Sequence, residues 1–216
     1  MTIRKGEDWG SRRTLSKDAP IATSDRSLAA LFSIDVDDET RSTLHGPPLV
    51  GLLPTNPSTG AVGDLARTVS AHGTKEALRS GERTSLPIDL AVVSIDGVDV
   101  VMAASIVIRR RLWLGVVEGA MNASFLGEWN TTPSGHPNDG RLDVVRAELP
   151  FNARFKARKR LPAGTHVPHP NIEIRRLKSG SFTPHKGARV WVDGVCFGGA
   201  HRVDFVVHPD ATTVVI

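Results

Sequence analysis

Tyrosine is absent from this chain of 216 residues, cysteine occurs once (Cys196), and Phe, Trp and Tyr together make up 5%. A single thiol cannot close an internal disulfide, so the fold must rest on its core, and a reducing cytosol is the expected compartment. Charge-free apolar runs are all far shorter than the roughly 20 residues of a membrane-spanning helix. The opening MTIRKGEDWG likewise lacks the apolar centre of a secretory signal. Trp9, Trp113, Trp129 and Trp191 are widely spaced in the sequence, which argues against a base-stacking surface for nucleic acid. Internal repeats and low-complexity tracts are also lacking.

What is present is an ordinary globular composition, 40% hydrophobic and 23% charged, long enough for one large or two small domains with a real core. The net charge of +4 and sequence pI near 9.6 come from clustered cations: Arg109, Arg110 and Arg111, then residues 154–160, then Arg175, Arg176 and Lys178. Such runs either form a solvated face or meet phosphate-rich partners. An anionic lipid or membrane surface, reached peripherally from the cytoplasm, and a protein partner are the expected contacts; nucleic acid is the weaker alternative.

Two Asp-Gly rims carry the most information. HPNDGRLDVV, residues 136–145, and VWVDGVCFGG, residues 190–199, each set a turn-forming carboxylate against strand-forming residues. Ahead of them the pattern alternates between short strands and helices. A short extended run at 19–23 leads to Ser24 as an N-cap and a short helix near 27–32. The acidic stretch at 35–39 reads as solvent-exposed loop or helix surface, and after it come a buried strand at 49–53, a turn-rich loop, and a helix at 64–70 with Asp64 near its positive end. From about residue 86 the pattern changes to strands at 87–93 and 98–108 around the turn Asp96-Gly97, an amphipathic helix at 111–123, and short strands from 142 to the end. A basic helix near 153–161 interrupts them. The expected class is therefore α+β, a reduced α/β part over residues 1–85 followed by a β-sandwich over 86–216.

In motif order, residues 86–216 resemble the bacterial diacylglycerol kinases and sphingosine-kinase-like lipid kinases. HPNDGRLDVV, the basic helix with LPAGTHVPHP after it, NIEIRR and the VDG hairpin carry the resemblance. Upstream, PLVGLLPTNPSTGAVGDLARTV is similar to the family segment in which a strand ends at Pro, a Gly-Thr-Gly-Asn-Asp loop follows, and a helix opens with Ala-Arg; Gly63 stands where Asn is expected. IATSDRSLAALF occupies the place of the Gly-Gly-Asp-Gly-Thr nucleotide loop. The resemblance implies an ATP-dependent lipid kinase with Mg²⁺. It implies nucleotide contacts at Ser27, Thr59, Gly60 and Asp64, a Mg²⁺-linked carboxylate at Asp139, and catalytic carboxylates at Asp193 and Asp25.

Three departures weigh on that implication. Glycines of the nucleotide loop are replaced by Thr23, Ser24 and Arg26, whose side chains restrict a loop that must bring bare N–H groups against phosphate. Val195 stands where the hairpin of the family carries Glu, and valine cannot accept a proton. The opening strand and helix expected of the family's nucleotide domain are either missing or replaced by the short segment TIRKGEDWG. The sequence is therefore best read as a catalytically degenerate homologue that binds a lipid, a nucleotide or a protein partner. An active lipid kinase with a rearranged site, or a purely structural sandwich, are the competing readings.

Each candidate residue also has a structural role to play. Asp139 and Asp193 suit turns, and Asp25 and Asp64 suit helix first turns. In His166-Val-Pro-His169 the prolines at 168 and 170 deny the pair a shared helical face for zinc. Cys196 reads as a small buried hydrophobe. Phe151, Phe155 and Leu161 read either as anchors to the sandwich or, with the surrounding cations, as an interfacial face.

Overall fold

A computed structural model describes residues 9–38, 41–54 and 62–216. Two sheets organise it. The first has seven strands, five of them in the order Ser11–Thr14, Glu82–Ile95, Val203–Val215, Leu49–Leu52, Ile21–Ala22. Val98–Met102 also pairs with Glu82–Ile95, and Ser179–Phe182 with Val203–Val215. The second sheet has six antiparallel strands in the order Ile172–Leu177, Leu142–Ala147, Val117–Met121, Ser105–Arg109, Arg189–Val192, Val195–Gly198. This is the expected α+β class, with a small strand-and-helix part leading into a sandwich.

The α/β character is confined to the front of the chain. Ile21–Ala22 and Leu49–Leu52 run parallel to each other, and Leu49–Leu52 runs parallel to the end of Val203–Val215. Parallel neighbours need crossover segments. These carry the short helices Asp25–Ala29 and Asp64–Thr68. A third short helix, Lys75–Arg79, capped by the Thr74 hydroxyl, is not foreseen by the pattern because it spans little more than one turn.

The two long strands serve two cores. Leu86, Ile88, Leu90 and Val214 pack with Leu28, Leu52 and Leu65 under the helices. Ala91, Val93, Val203 and Phe205 pack with Ile106, Ile108, Leu142 and Val190 between the sheets. The strand pair is antiparallel throughout, with an irregularity between His208 and Thr212 where Asp210 adopts positive φ.

Four expectations from the pattern are corrected. The helix expected at 111–123 is a single 3-10 turn, Arg111–Trp113, followed by the strand Val117–Met121. Gly119 explains the difference. A Cβ there would lie 2.4 Å from the Ile106 carbonyl oxygen, so the segment is fitted for tight strand pairing. The acidic stretch expected as loop or helix surface instead continues a strand, Ser33–Asp38, paired with Arg41–His45. The run expected at 98–108 divides into Val98–Met102 and Ser105–Arg109, which belong to different sheets. Cys196 is exposed rather than buried.

Candidate functional site

Asp25, Asp64 and Asp193 come together where the helical part meets the sandwich. Ser24 caps the helix Asp25–Ala29, which places Asp25 in its first turn, nearly buried at 8% exposure. Its carboxylate reaches the start of the next helix and accepts from Asp64 N–H at 2.7 Å and Leu65 N–H at 3.0 Å. Gly63 permits this approach, since a Cβ at that position would sit 3.1 Å from Asp25 Oδ1. Asp64 in turn accepts from Gly127 N–H at 2.6 Å.

Asp193 occupies the first central position of a two-residue hairpin turn, with φ +47°, followed by Gly194 at φ +77°. Positive φ at both positions is the type I′ geometry that Asp-Gly favours. The same turn aims the carboxylate at the break between the strands Val98–Met102 and Ser105–Arg109. There it accepts from Ala103 N–H (2.8 Å), Ala104 N–H (2.8 Å) and Ser105 N–H (3.0 Å). Asp193 therefore satisfies the donors that the split strand would otherwise leave unpaired.

All three carboxyls are raised. Burial is the leading cause for Asp25, opposed by the Asp64 and Leu65 N–H groups. Burial and then the charge of Asp25 bring Asp64 to about 6. The same two causes bring Asp193 to about 7, against its three N–H donors. The acids thus share a field, but their oxygens are directed to backbone donors and do not converge on a common point. Among the described residues no group of three or more His, Cys, Asp or Glu is arranged to hold a metal ion.

The turn before Asp25 is equally occupied. Ser27 Oγ accepts from Thr23 N–H (2.8 Å) and Ser24 N–H (2.9 Å), while Ser27 N–H donates to Ser24 Oγ (3.1 Å). A phosphate cradle offers just such N–H groups to a ligand. Here a reciprocal capping box uses them. Ser27 is therefore a capping residue in this geometry. Thr59 and Gly60, the other nucleotide contacts implied by the resemblance, lie outside the described residues.

Beside the acids runs a cleft of about 520 Å³. Ala29, Ala30, Phe32, Val101, Val192 and Val195 give it apolar walls, and Arg26, Asp99 and Asp193 are its charged members. A second cleft of about 640 Å³ lies away from them, lined by Pro133, Val167, Pro168 and Ile174, with Asp143 and Arg176 paired at 3.1 Å.

Asp139 belongs to a different cluster. Its Oδ1 accepts from Arg141 N–H, and its Oδ2 lies 3.8 Å from Arg176. The organiser of this loop is Asp89, which the sequence reading passed over. Fully buried, it accepts from Gly140 N–H (2.6 Å), Asp210 N–H (2.9 Å) and the Asn138 amide (3.1 Å), and burial raises it to about 6. Its signal in the sequence is a lone carboxylate inside the otherwise apolar PIDLAVVSI. Burial also lowers His136 and His166, and His166 contacts the Thr131 carbonyl at 3.2 Å.

A small parallel-strand part with short helices, leading into an antiparallel sandwich, is the fold class shared with diacylglycerol kinase structures. Comparison with solved structures gives the particulars. A "putative diacylglycerol kinase" from Bacillus anthracis str. Sterne superposes with a TM-score of 0.55 at 12% identity, covering 79% of this chain and 70% of that one. A second structure, of a diacylglycerol kinase from the same organism, gives 0.51 at 12% identity over 79% and 68%. At this identity the likeness is one of fold. No protein-family model matches the sequence, and no curated protein matches it.

Proposed function

We propose that this chain is a catalytically degenerate protein of the diacylglycerol kinase fold, which binds a lipid and transfers no phosphoryl group. The observation that carries the reading is the closed turn at Ser24–Ser27. The N–H groups of Thr23, Ser24 and Ser27 are bonded within the turn, so phosphate oxygens would reach those three groups by displacing a capping box worth about 1 kcal/mol or more. Phosphoryl transfer depends almost wholly on positioning and charge neutralisation. Asp25 and Asp193, the residues that would accept a proton, are instead committed to backbone donors.

The ligand class follows from the cleft beside them. Its apolar walls suit a hydrocarbon chain better than a triphosphate, and about 520 Å³ lies within the ~300–1,000 Å³ range of small-molecule sites. Arg26, Asp99 and Asp193 among its lining residues suit a lipid carrying a polar head.

Calorimetric titration with Mg-ATP tests the reading, followed by a labelled phosphate-transfer assay on mixed micelles containing diacylglycerol. The expected result is no saturable heat at nucleotide concentrations on the order of 1 mM, the upper end of ordinary enzyme KM values, and no labelled lipid. Saturable binding with transfer would establish the active-kinase reading and overturn this one.

A further inference from the structure

The basic helix does not pack as its composition suggests. Of the helix Phe151–Arg160 only Ala157 is buried. Phe151 is 70% exposed and Phe155 58% exposed, their rings edge to face at 5.2 Å. Anchoring of these phenylalanines to the sandwich, one of the two readings of the sequence, is thus corrected by the structure. Isolated exposed hydrophobes are ordinary on protein surfaces. This pair is not isolated.

The neighbouring turn presents Leu112 at 73% exposure and Leu114 at 45%. Leu112 and Trp113 both hold left-handed backbone, at φ +57° and +59°. Two consecutive non-glycine residues in that region cost about 1–3 kcal/mol each, a strain that persists only where the surroundings impose it. Arg154 imposes it, donating from the helix to the Trp113 carbonyl at 2.5 Å, to the Gly115 carbonyl at 2.9 Å and to the Leu149 carbonyl at 2.8 Å. Arg109 lies 4.5 Å from the Trp113 ring, Trp113 packs edge-on against Trp129 at 5.2 Å, and Arg158 lies over Trp129 at 5.4 Å. Three of the four tryptophans, Trp113, Trp129 and, through Arg109, Trp191 at 4.1 Å, are thereby gathered in one region despite their spacing in sequence. The turn and the helix are braced as one surface.

The turn and the helix each carry one sign of charge. Arg109, Arg110 and Arg111 precede the turn; Arg154, Lys156, Arg158, Lys159 and Arg160 lie on the helix; neither segment contains Asp or Glu. The exposed apolar residues line neither of the two clefts described above.

We infer that the turn at Leu112–Leu114 and the helix Phe151–Arg160 form a single docking surface for an anionic phospholipid bilayer, with Leu112, Phe151 and Phe155 entering the interface and the cations held at headgroup level. Exposed leucine and phenylalanine gain by leaving water for acyl chain, whereas a nucleic-acid backbone offers leucine nothing. Leaving aside Arg109, which stacks on two tryptophans, and Arg154, which braces the turn, six cations on these segments match a negative surface, and each basic side chain near such a surface contributes about 1 kcal/mol. The inference is independent of whether the Ser24–Ser27 turn admits nucleotide.

Co-sedimentation of the full chain with vesicles tests it, using phosphatidylcholine alone and phosphatidylcholine containing roughly one-third phosphatidylglycerol. The expected result is at least about tenfold tighter binding to the anionic vesicles, weakened by raised salt. A Phe151→Ser/Phe155→Ser variant is expected to lose about tenfold or more on anionic vesicles. Because both side chains face solvent, its circular dichroism and thermal midpoint should match the parent, and this control separates loss of docking from loss of fold. Equal binding to both vesicle types, no sedimentation with anionic vesicles, or full retention by the folded double variant would each overturn the inference. Retention by the variant of charge-dependent binding to RNA, with no lipid preference in the parent, would assign the surface to nucleic acid instead.

Discussion

Asp89→Asn probes the buried knot under the HPNDG loop, and its outcome turns on the sign of a pH dependence. At 0% exposure Asp89 receives three donors, yet burial outweighs them and raises its carboxyl from 3.8 to about 6. The shift of roughly two units corresponds to about 3 kcal/mol. Between the two values the folded state holds a proton that the unfolded chain has released, so the contribution of Asp89 to stability is present below pH 4 and is lost as pH rises through 6. Asparagine does not titrate. It keeps one acceptor and turns an amide N–H₂ against one donor, such as Gly140 N–H, at a cost of about 1–3 kcal/mol. At pH 4.5 the parent should therefore be the more stable protein by about that amount. By pH 8 the difference should have shrunk by about 2–3 kcal/mol, to near zero or slightly in favour of the variant. The other raised carboxyls, Asp25, Asp64, Asp143 and Asp193, are present in both proteins and cancel in the comparison. Thermal unfolding of both proteins across this range should show the gap between midpoints closing by about 4–12 °C, given ~2–4 °C per kcal/mol for a chain of this size. A gap that widens with pH would mean that the three hydrogen bonds outweigh burial, and the account of this site would be wrong.

Two further substitutions address the acid cluster and its turn. Asp193→Ala leaves the N–H groups of Ala103, Ala104 and Ser105 without their acceptor at the strand break. Urea unfolding at pH 6 should show a loss of about 3 kcal/mol; a loss below about 1 kcal/mol would mean that water replaces the carboxylate there. Ser27→Ala removes the hydroxyl that closes the turn over Thr23 and Ser24. It should lower the thermal midpoint by about 2–4 °C, and an unchanged midpoint would refute the capping role.

The places where residue pattern and packing agreed are those where a single local rule decides. Asp-Gly at 96–97 and 193–194 adopts positive φ at both positions, as the local chemistry of a two-residue hairpin turn favours. Ser24 caps its helix because the hydroxyl and the orphan donors are three residues apart. The segment at 111–123 shows the opposite case. Its apolar spacing allows a helix, but Gly119 opposite the Ile106 carbonyl and the antiparallel neighbours on both sides make it a strand. Long-range pairing overrode local propensity. The run from Val98 onward was likewise continuous in sequence. It divides in the fold because a carboxylate about 90 residues away, Asp193, takes up the donors at the break.

By itself the sequence determined the α+β class, the order of its parts, and the turns and caps, and it marked Asp25, Asp64, Asp139 and Asp193 as candidates, of which the fold sets Asp139 apart from the other three. It determined these because turn chemistry, alternation and capping act over a few residues. Only the tertiary structure decided what those carboxylates face. Asp25 and Asp193 bond to backbone groups about 40 and 90 residues distant, a choice that depends on how two sheets and two helices meet. Tertiary packing also decided that Phe151 and Phe155 face water while Asp89 does not. Burial is a property of the whole assembly of elements, and no spacing within ten residues contains it.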